Sequence, residues 1–130
     1  MSATKLAAYV WASPNSVLGL AVALLMLIFG GRGRVIRGAL EVSGGLVGSF
    51  FAAPAIGRGF RAVTLGHVIL ATHDAALAVC RAHEQAHVRQ YELWGPVFLP
   101  AYFASSLWQL LRGRRAYRDN YFERQACDGS

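Results

Sequence analysis

Residues 74–94 read DAALAVCRAHEQAHVRQYELW, from Asp74 to Trp94. Asp74 can cap the backbone N–H groups of a first helical turn, and Gly95-Pro96 stops the run, so a helix is predicted from Asp74 to about Trp94. Within it lies His83-Glu84-Gln85-Ala86-His87, the HExxH pattern. Two histidines four apart stand one above the other on one helix face, so both imidazoles can reach one metal ion at about 2.0–2.1 Å. Glu84 projects about 100° round the helix from His83. Its carboxylate then stands beside the metal and can take a proton from a water there. Five residues therefore supply a ligand pair and a general base.

Zinc is the expected ion, because imidazole and carboxylate ligation with one position left open suits its catalytic sites. A metzincin arrangement would need Gly at 90 and His at 93, where this chain has Gln90 and Leu93, so that class is excluded. The acids downstream of His87 are Glu92, Asp119, Glu123 and Asp128. Glu92 is on the same helix and cannot fold back to the metal. Glu123 lies in a segment able to start a short helix at about Asn120, which can pack on the first and present one carboxylate. Glu123 is the expected third ligand. The competing reading of Asn120-x-x-Glu123 is a capping box, in which Glu123 reaches back to a backbone N–H. Of the other histidines, His67 is expected as a core residue or a support for the site, and His73 near the helix start.

Outward from this helix the chain reads as α+β. Arg34 to Ser43 loosely alternates, is rich in branched residues and is bounded by glycine, which predicts a strand ending at the Gly44-Gly45 turn. Arg61 to Thr72 predicts another, with Val63, Leu65, His67 and Ile69 on one face and Thr64, Val68 and Leu70 on the other. Leu46 to Ile56 carries Gly48 and Pro54, so a strand or loop fits it better than a spanning helix. Val97 to Leu111 predicts a helix from about Pro100, too short to cross a bilayer comfortably.

At the other end, Trp11 to Gly30 holds no charged residue, and Val17 to Phe29 reads VLGLAVALLMLIF. That is close to the roughly 20 apolar residues a spanning helix needs. With 55% hydrophobic residues in 130, one transmembrane helix is expected, with residues 1–31 as a membrane anchor and 32–130 as the body. A cleaved signal peptide fits less well, since Gly30-Gly31-Arg32-Gly33-Arg34 is not a small-x-small site. Of the 13 basic residues only Lys5 precedes the apolar run. Arg32, Arg34 and Arg37 follow it directly, so the positive-inside tendency puts the body in the cytoplasm of a single-pass protein. Cys80 and Cys127 fit free thiols in a reducing compartment. The arginines are scattered, and no recognition helix, zinc finger or RNA-binding motif accompanies them, so nucleic acid is not an expected partner. Arg112, Arg114, Arg115 and Arg118 suit either the anionic headgroups of a lipid bilayer or a solvated basic turn.

HExxH followed, one helix later, by a helix carrying Glu-x-x-Ala resembles the gluzincin metallopeptidases. The chain is also similar to small bacterial membrane proteins sharing Arg81-x-His83-Glu84-x-x-His87-Val88-x-Gln90-x-Glu92-x-x-Gly95-Pro96 and Tyr117-Arg118-Asp119-Asn120. The match covers about the last half of the chain. The resemblance implies a minimal zincin-like domain, with His83, His87 and Glu123 as zinc ligands and Glu84 as catalytic base. It further implies a peptide or protein substrate, aligned by the strand before the active-site helix. With seven residues after Glu123, no counterpart is expected for the C-terminal region that gives many gluzincins a transition-state His or Tyr. Tyr91, Tyr117, Tyr121 or a nearby arginine is left for that role. Two rival readings remain open. Cys80, His83, His87 and Cys127 could close a structural zinc site. Alternatively, HExxH is incidental in a membrane-associated interaction protein.

Overall fold

The computed structural model describes residues 2–52 and 61–128. Helix α1 runs Ala3–Ile28, capped by the Ser2 side chain, which accepts from the Lys5 N–H. Pro14 lies inside it and has no N–H for the Val10 carbonyl, and the Ser13 hydroxyl donates to that carbonyl instead at 2.7 Å. Ala12, Asn15, Gly19, Ala23 and Met26 form its buried stripe at spacings of three and four. Small residues let the helix press close: a Cβ on Gly19 would stand 2.8 Å from the Leu65 carbonyl oxygen. α1 is long and apolar enough to cross a membrane, and most of it is exposed.

The sheet is mixed, in the order β1-β2-β4-β3, with β1 Arg32–Ile36, β2 Ala39–Ser43, β3 Ala62–Leu65 and β4 Val68–Ala71. β1 and β2 are antiparallel, as are β3 and β4, while β2 and β4 run parallel at the centre. Each stretch expected as one strand is thus a hairpin. Arg37 and Gly38 make the first two-residue loop, both at positive φ (54° and 78°), as primed turns require. Gly66 and His67 make the second, with Gly66 at φ 64°. Apolar residues run up to both loops without an Asn-Gly or Asp-Gly signal, so period alone does not reveal them. The second loop also corrects the faces: Val63 and Leu65 share a side with Leu70 and Val68, whereas Thr64 pairs with Ile69.

Val42, Val68 and Leu70 face α1, packed with Ala23 and Met26. Ala39, Ile69 and Ala71 face the other way, against Leu77 and Val88 of α3, Asp74–Trp94. On that second face Glu41 is fully buried and accepts two hydrogen bonds from the Arg81 guanidinium, at 2.8 and 3.0 Å. A buried carboxylate without such a partner is strongly destabilising, so this pair sets the register of α3 on the sheet. Gly45–Ala52 is a short helix, α2, not the expected strand or loop. Its Gly48 sits against the Thr72 backbone, where a Cβ would be 2.4 Å from the carbonyl oxygen. Residues 53–56 of that expectation lie outside the described residues.

His73, not Asp74, is the N-cap of α3: its Nδ1 accepts from the Ala76 N–H at 3.0 Å. Asp74 is the first helical residue and takes a hydrogen bond from Ser43. Gly95, at φ 56°, ends α3, and a 3-10 turn leads into α4, Phe98–Leu111. α5, Tyr121–Asp128, closes the chain over α3 and α4.

Gly66 carries a stability prediction. Its φ is left-handed, and a Cβ there would lie 2.2 Å from Ser16 Oγ and 2.5 Å from Ser16 N. Gly66→Ala is expected to cost about 2–4 kcal/mol from backbone strain and overpacking together. Gly44, also left-handed but with open space around it, should lose only the backbone part, about 1 kcal/mol. Thermal unfolding in detergent should rank the two variants in that order.

Candidate metal centre

α3 places His83 and His87 one turn apart with their rings edge to face, centroids 4.8 Å apart. Their Nε2 atoms stand 3.2 Å from each other. Glu123 arrives from α5 and sets one oxygen 2.9 Å from His83 Nε2 and the other 3.1 Å from His87 Nε2. Four-coordinate zinc with bonds of about 2.0–2.1 Å needs its ligand atoms about 3.3–3.4 Å apart. The three donors already lie near that spacing, before any ion draws them together.

Asn120 brings Glu123 there. It is fully buried, its amide donates to the Tyr102 carbonyl (2.8 Å) and to Ser106 Oγ (2.7 Å), and its Oδ1 accepts from the Phe122 N–H. The start of α5 is thus capped by Asn120 itself and riveted to α4. Glu123 has no capping to do and turns its carboxylate to the histidines, where Tyr102 also donates to it at 2.7 Å. Phe122 packs beside Tyr91, Phe98 and Ala12, so the same helix is held by the core.

Gln90 fixes the chemistry of His87. Its amide nitrogen donates to the Phe122 carbonyl (2.9 Å) and to Gln125 Oε1 (2.8 Å), so its oxygen is the atom facing His87 Nδ1 at 2.8 Å. Nδ1 must therefore be the donor, which leaves Nε2 turned toward the centre. A neutral His87 points a lone pair at the Glu123 carboxylate, and that contact is favourable only with a cation between them. Burial works against a charged His87, but the hydrogen bond and charge of Glu123 outweigh burial and raise His87 above its ordinary pKa. Burial likewise works against ionised Glu123, yet the hydrogen bonds from His83 and His87 hold it far below the usual carboxylate range. The donor set thus fits a divalent cation.

Glu84 is buried and accepts from Thr64 Oγ1 of β3 at 2.8 Å. Burial pushes its carboxyl upward, against the opposing pull of His87 and the Thr64 hydrogen bond. A base lifted toward neutrality is better matched to proton transfer near pH 7. His83, Glu84 and His87 form a group able to hold a metal ion, their donor atoms within 4.8 Å of one another. They line a cavity of about 640 Å³ walled by β3, α3, α4, Tyr117 and Glu123.

The cysteines stand differently from a closed site. Cys127 Sγ lies 3.8 Å from His83 Nδ1, the ring nitrogen opposite the one that meets Glu123. Cys80 is on the cavity wall, where burial pushes its thiol up. His67 is away from the centre: it stacks on Tyr9 and bonds Glu92 at 2.9 Å, and Glu92 also holds Lys5. Of the tyrosines expected near the oxyanion, Tyr117 lines the cavity, Tyr91 spends its hydroxyl on the Thr64 carbonyl, and Tyr121 is exposed. Sequence reasoning missed Thr64, Gln90 and Tyr102 as supports. Only Gln90, three residues after His87 on the same helix, left a local signal.

Gln90→Leu should weaken metal affinity by about 10–100-fold, the usual cost of an outer partner to a ligating histidine. Competition with a chromogenic chelator measures it.

No protein-family model, curated protein or solved structure matches the chain. The reading of its function therefore stands on the geometry of these residues.

Proposed function

We propose that this protein is a membrane-associated, zinc-dependent metallopeptidase of the gluzincin kind, with a minimal zincin-like body. The observation that carries the proposal is the meeting of the Glu123 carboxylate with both Nε2 atoms of the HExxH histidines, beside a buried Glu84 in one cavity. His83, His87 and Glu123 would hold the ion. Zinc supplies, when bound, a lowered pKa for water and polarisation of a carbonyl. Glu84, oriented by Thr64, takes the proton from the attacking water and passes it to the leaving amine. Tyr102 stays protonated, since burial and then the neighbouring Glu123 push its phenol well above the usual range. It therefore keeps donating to Glu123 and holds that carboxylate in place. Tyr117 and Arg61, both on the cavity wall, are our candidates for meeting an oxyanion. The exposed apolar side of α1 is the membrane attachment, the arginines after it put the body in the cytoplasm, and the substrate is a peptide or protein segment close to the membrane.

The test is hydrolysis of a mixed peptide library by the full chain in detergent with zinc supplied. Cleavage abolished by 1,10-phenanthroline and restored by added zinc is the expected result. A zinc-loaded protein that cleaves nothing in the library would retire the peptidase reading and leave a non-catalytic zinc protein.

A further inference from the structure

On α4 the buried Phe98 packs into the core, and past it the inward side turns polar: the Tyr102 carbonyl and Ser106 Oγ accept from the Asn120 amide, Ser105 Oγ accepts from the Tyr121 N–H, Ser106 donates to the Ala116 carbonyl, and Gln109 is buried. Its outward face carries Pro100, Phe103, Ala104, Leu107, Trp108 and Leu111, at the spacing of one helical stripe and all exposed, Phe103 by 64% and Leu111 by 73%. A helix on the surface of a water-soluble body shows the opposite pattern. An apolar stripe of this length marks a binding face.

The residues around the stripe say what covers it. Arg112, Arg114, Arg115 and Arg118 follow at its C-terminal end, all exposed. Asp119, the only acid among them, is bound to Arg115. The Arg112 guanidinium lies 5.7 Å from the centre of the Trp108 ring. A tryptophan beside arginines at the edge of an apolar surface is the pattern of a headgroup boundary. Fourteen residues reach only about 21 Å, short of the about 30 Å hydrocarbon core, so the helix can lie on a bilayer but not cross it. The stripe is also continuous with α1: exposed Leu93 and Val97 extend it backward, and Trp11 of α1 rests on Gly95 and donates to the Leu93 carbonyl.

We infer that α4 is a second membrane contact, lying in the plane of an anionic bilayer with its apolar stripe in the acyl boundary and its arginines on the headgroups. Phe103 belongs both to this stripe and to the cavity wall, so the contact sets the cavity against the membrane surface. The inference does not depend on peptidase activity, and its test does not read activity.

The test uses the full chain in lipid nanodiscs of phosphatidylcholine, with and without phosphatidylglycerol, carrying bromine on the acyl chains close to the headgroups. Subtracting the emission of Trp108→Phe from that of the wild type isolates Trp108 from Trp11 and Trp94. The substitution keeps an aromatic ring at an exposed position and leaves the fold intact, which circular dichroism checks. Trp108 is expected to lose emission to the shallow bromines, more so with phosphatidylglycerol present, and to be shielded from aqueous iodide. Emission indifferent to bromine and quenched by iodide would show a water-facing helix and overturn the inference. Indifference to both quenchers, with two chains per disc, would put a second copy on the stripe and overturn it as well. Equal quenching in neutral and anionic discs would overturn the assignment of the arginines to headgroups.

Discussion

Glu84→Gln is expected to lower the rate of peptide hydrolysis by about 10²–10⁴-fold, the range a positioned general base contributes, while zinc stays bound. The amide has the shape of the carboxylate and can still accept from Thr64 Oγ1, which sits 2.8 Å from the native oxygen. It has no lone pair basic enough to take a proton. His83, His87 and Glu123 are untouched, so zinc content should equal that of the wild type. Stability should not fall, because burial already disfavours the charged form of Glu84, and a neutral amide removes that cost. Kinetics on a cleaved peptide, normalised to bound zinc, make the measurement. Hydrolysis at the wild-type rate would remove Glu84 from the mechanism.

His87→Ala and Glu123→Ala are expected to weaken zinc binding by more than the about 10–100-fold assigned to Gln90, since each removes a ligand and not its support. Glu123→Ala also strips the acceptor from Tyr102 and leaves the two histidine Nε2 atoms, 3.2 Å apart, facing each other. Cys127→Ser is the counterpart. Its sulfur approaches His83 from the Nδ1 side, so zinc affinity should change little. A large loss in the cysteine variant, with Glu123→Ala near wild type, would instead favour the closed site of cysteines and histidines. Titration with zinc against a competing chelator ranks the variants.

Much of the candidate centre is legible in the sequence because its signals are local. The span of α3 follows from Asp74 and Gly95-Pro96, and the two histidines share a face by helical period alone. Glu123 is half legible: its spacing from Asn120 fits a cap as well as a ligand. What separates the two is the grip of Asn120 on the Tyr102 carbonyl and Ser106, a contact between helices that no spacing encodes. The same holds for Thr64 against Glu84 and Gln90 against Phe122. The hairpins are hidden for another reason. Val35-Ile36-Arg37-Gly38-Ala39-Leu40 keeps its apolar character on both sides of a loop that contains an arginine at positive φ, a residue outside the usual turn chemistry. The cap of α3 is likewise His73 because its ring nitrogen, one position before the expected Asp74, reaches the Ala76 N–H. In α1 the apolar run conceals a packing stripe, visible only once Gly19 is seen against Leu65 and Val68.

The measurement that tests the central claim most directly is zinc-edge X-ray absorption on the full chain, loaded with one equivalent of zinc in detergent. The account predicts nitrogen and oxygen scatterers at about 2.0–2.2 Å from the zinc, with two imidazoles in the outer signal and no sulfur. It also predicts that the imidazole signal falls in His87→Ala. A sulfur shell at about 2.3 Å would instead give the centre to the cysteines. Failure of the protein to retain zinc through desalting would leave the HExxH helix without a metal, and either result would contradict the account.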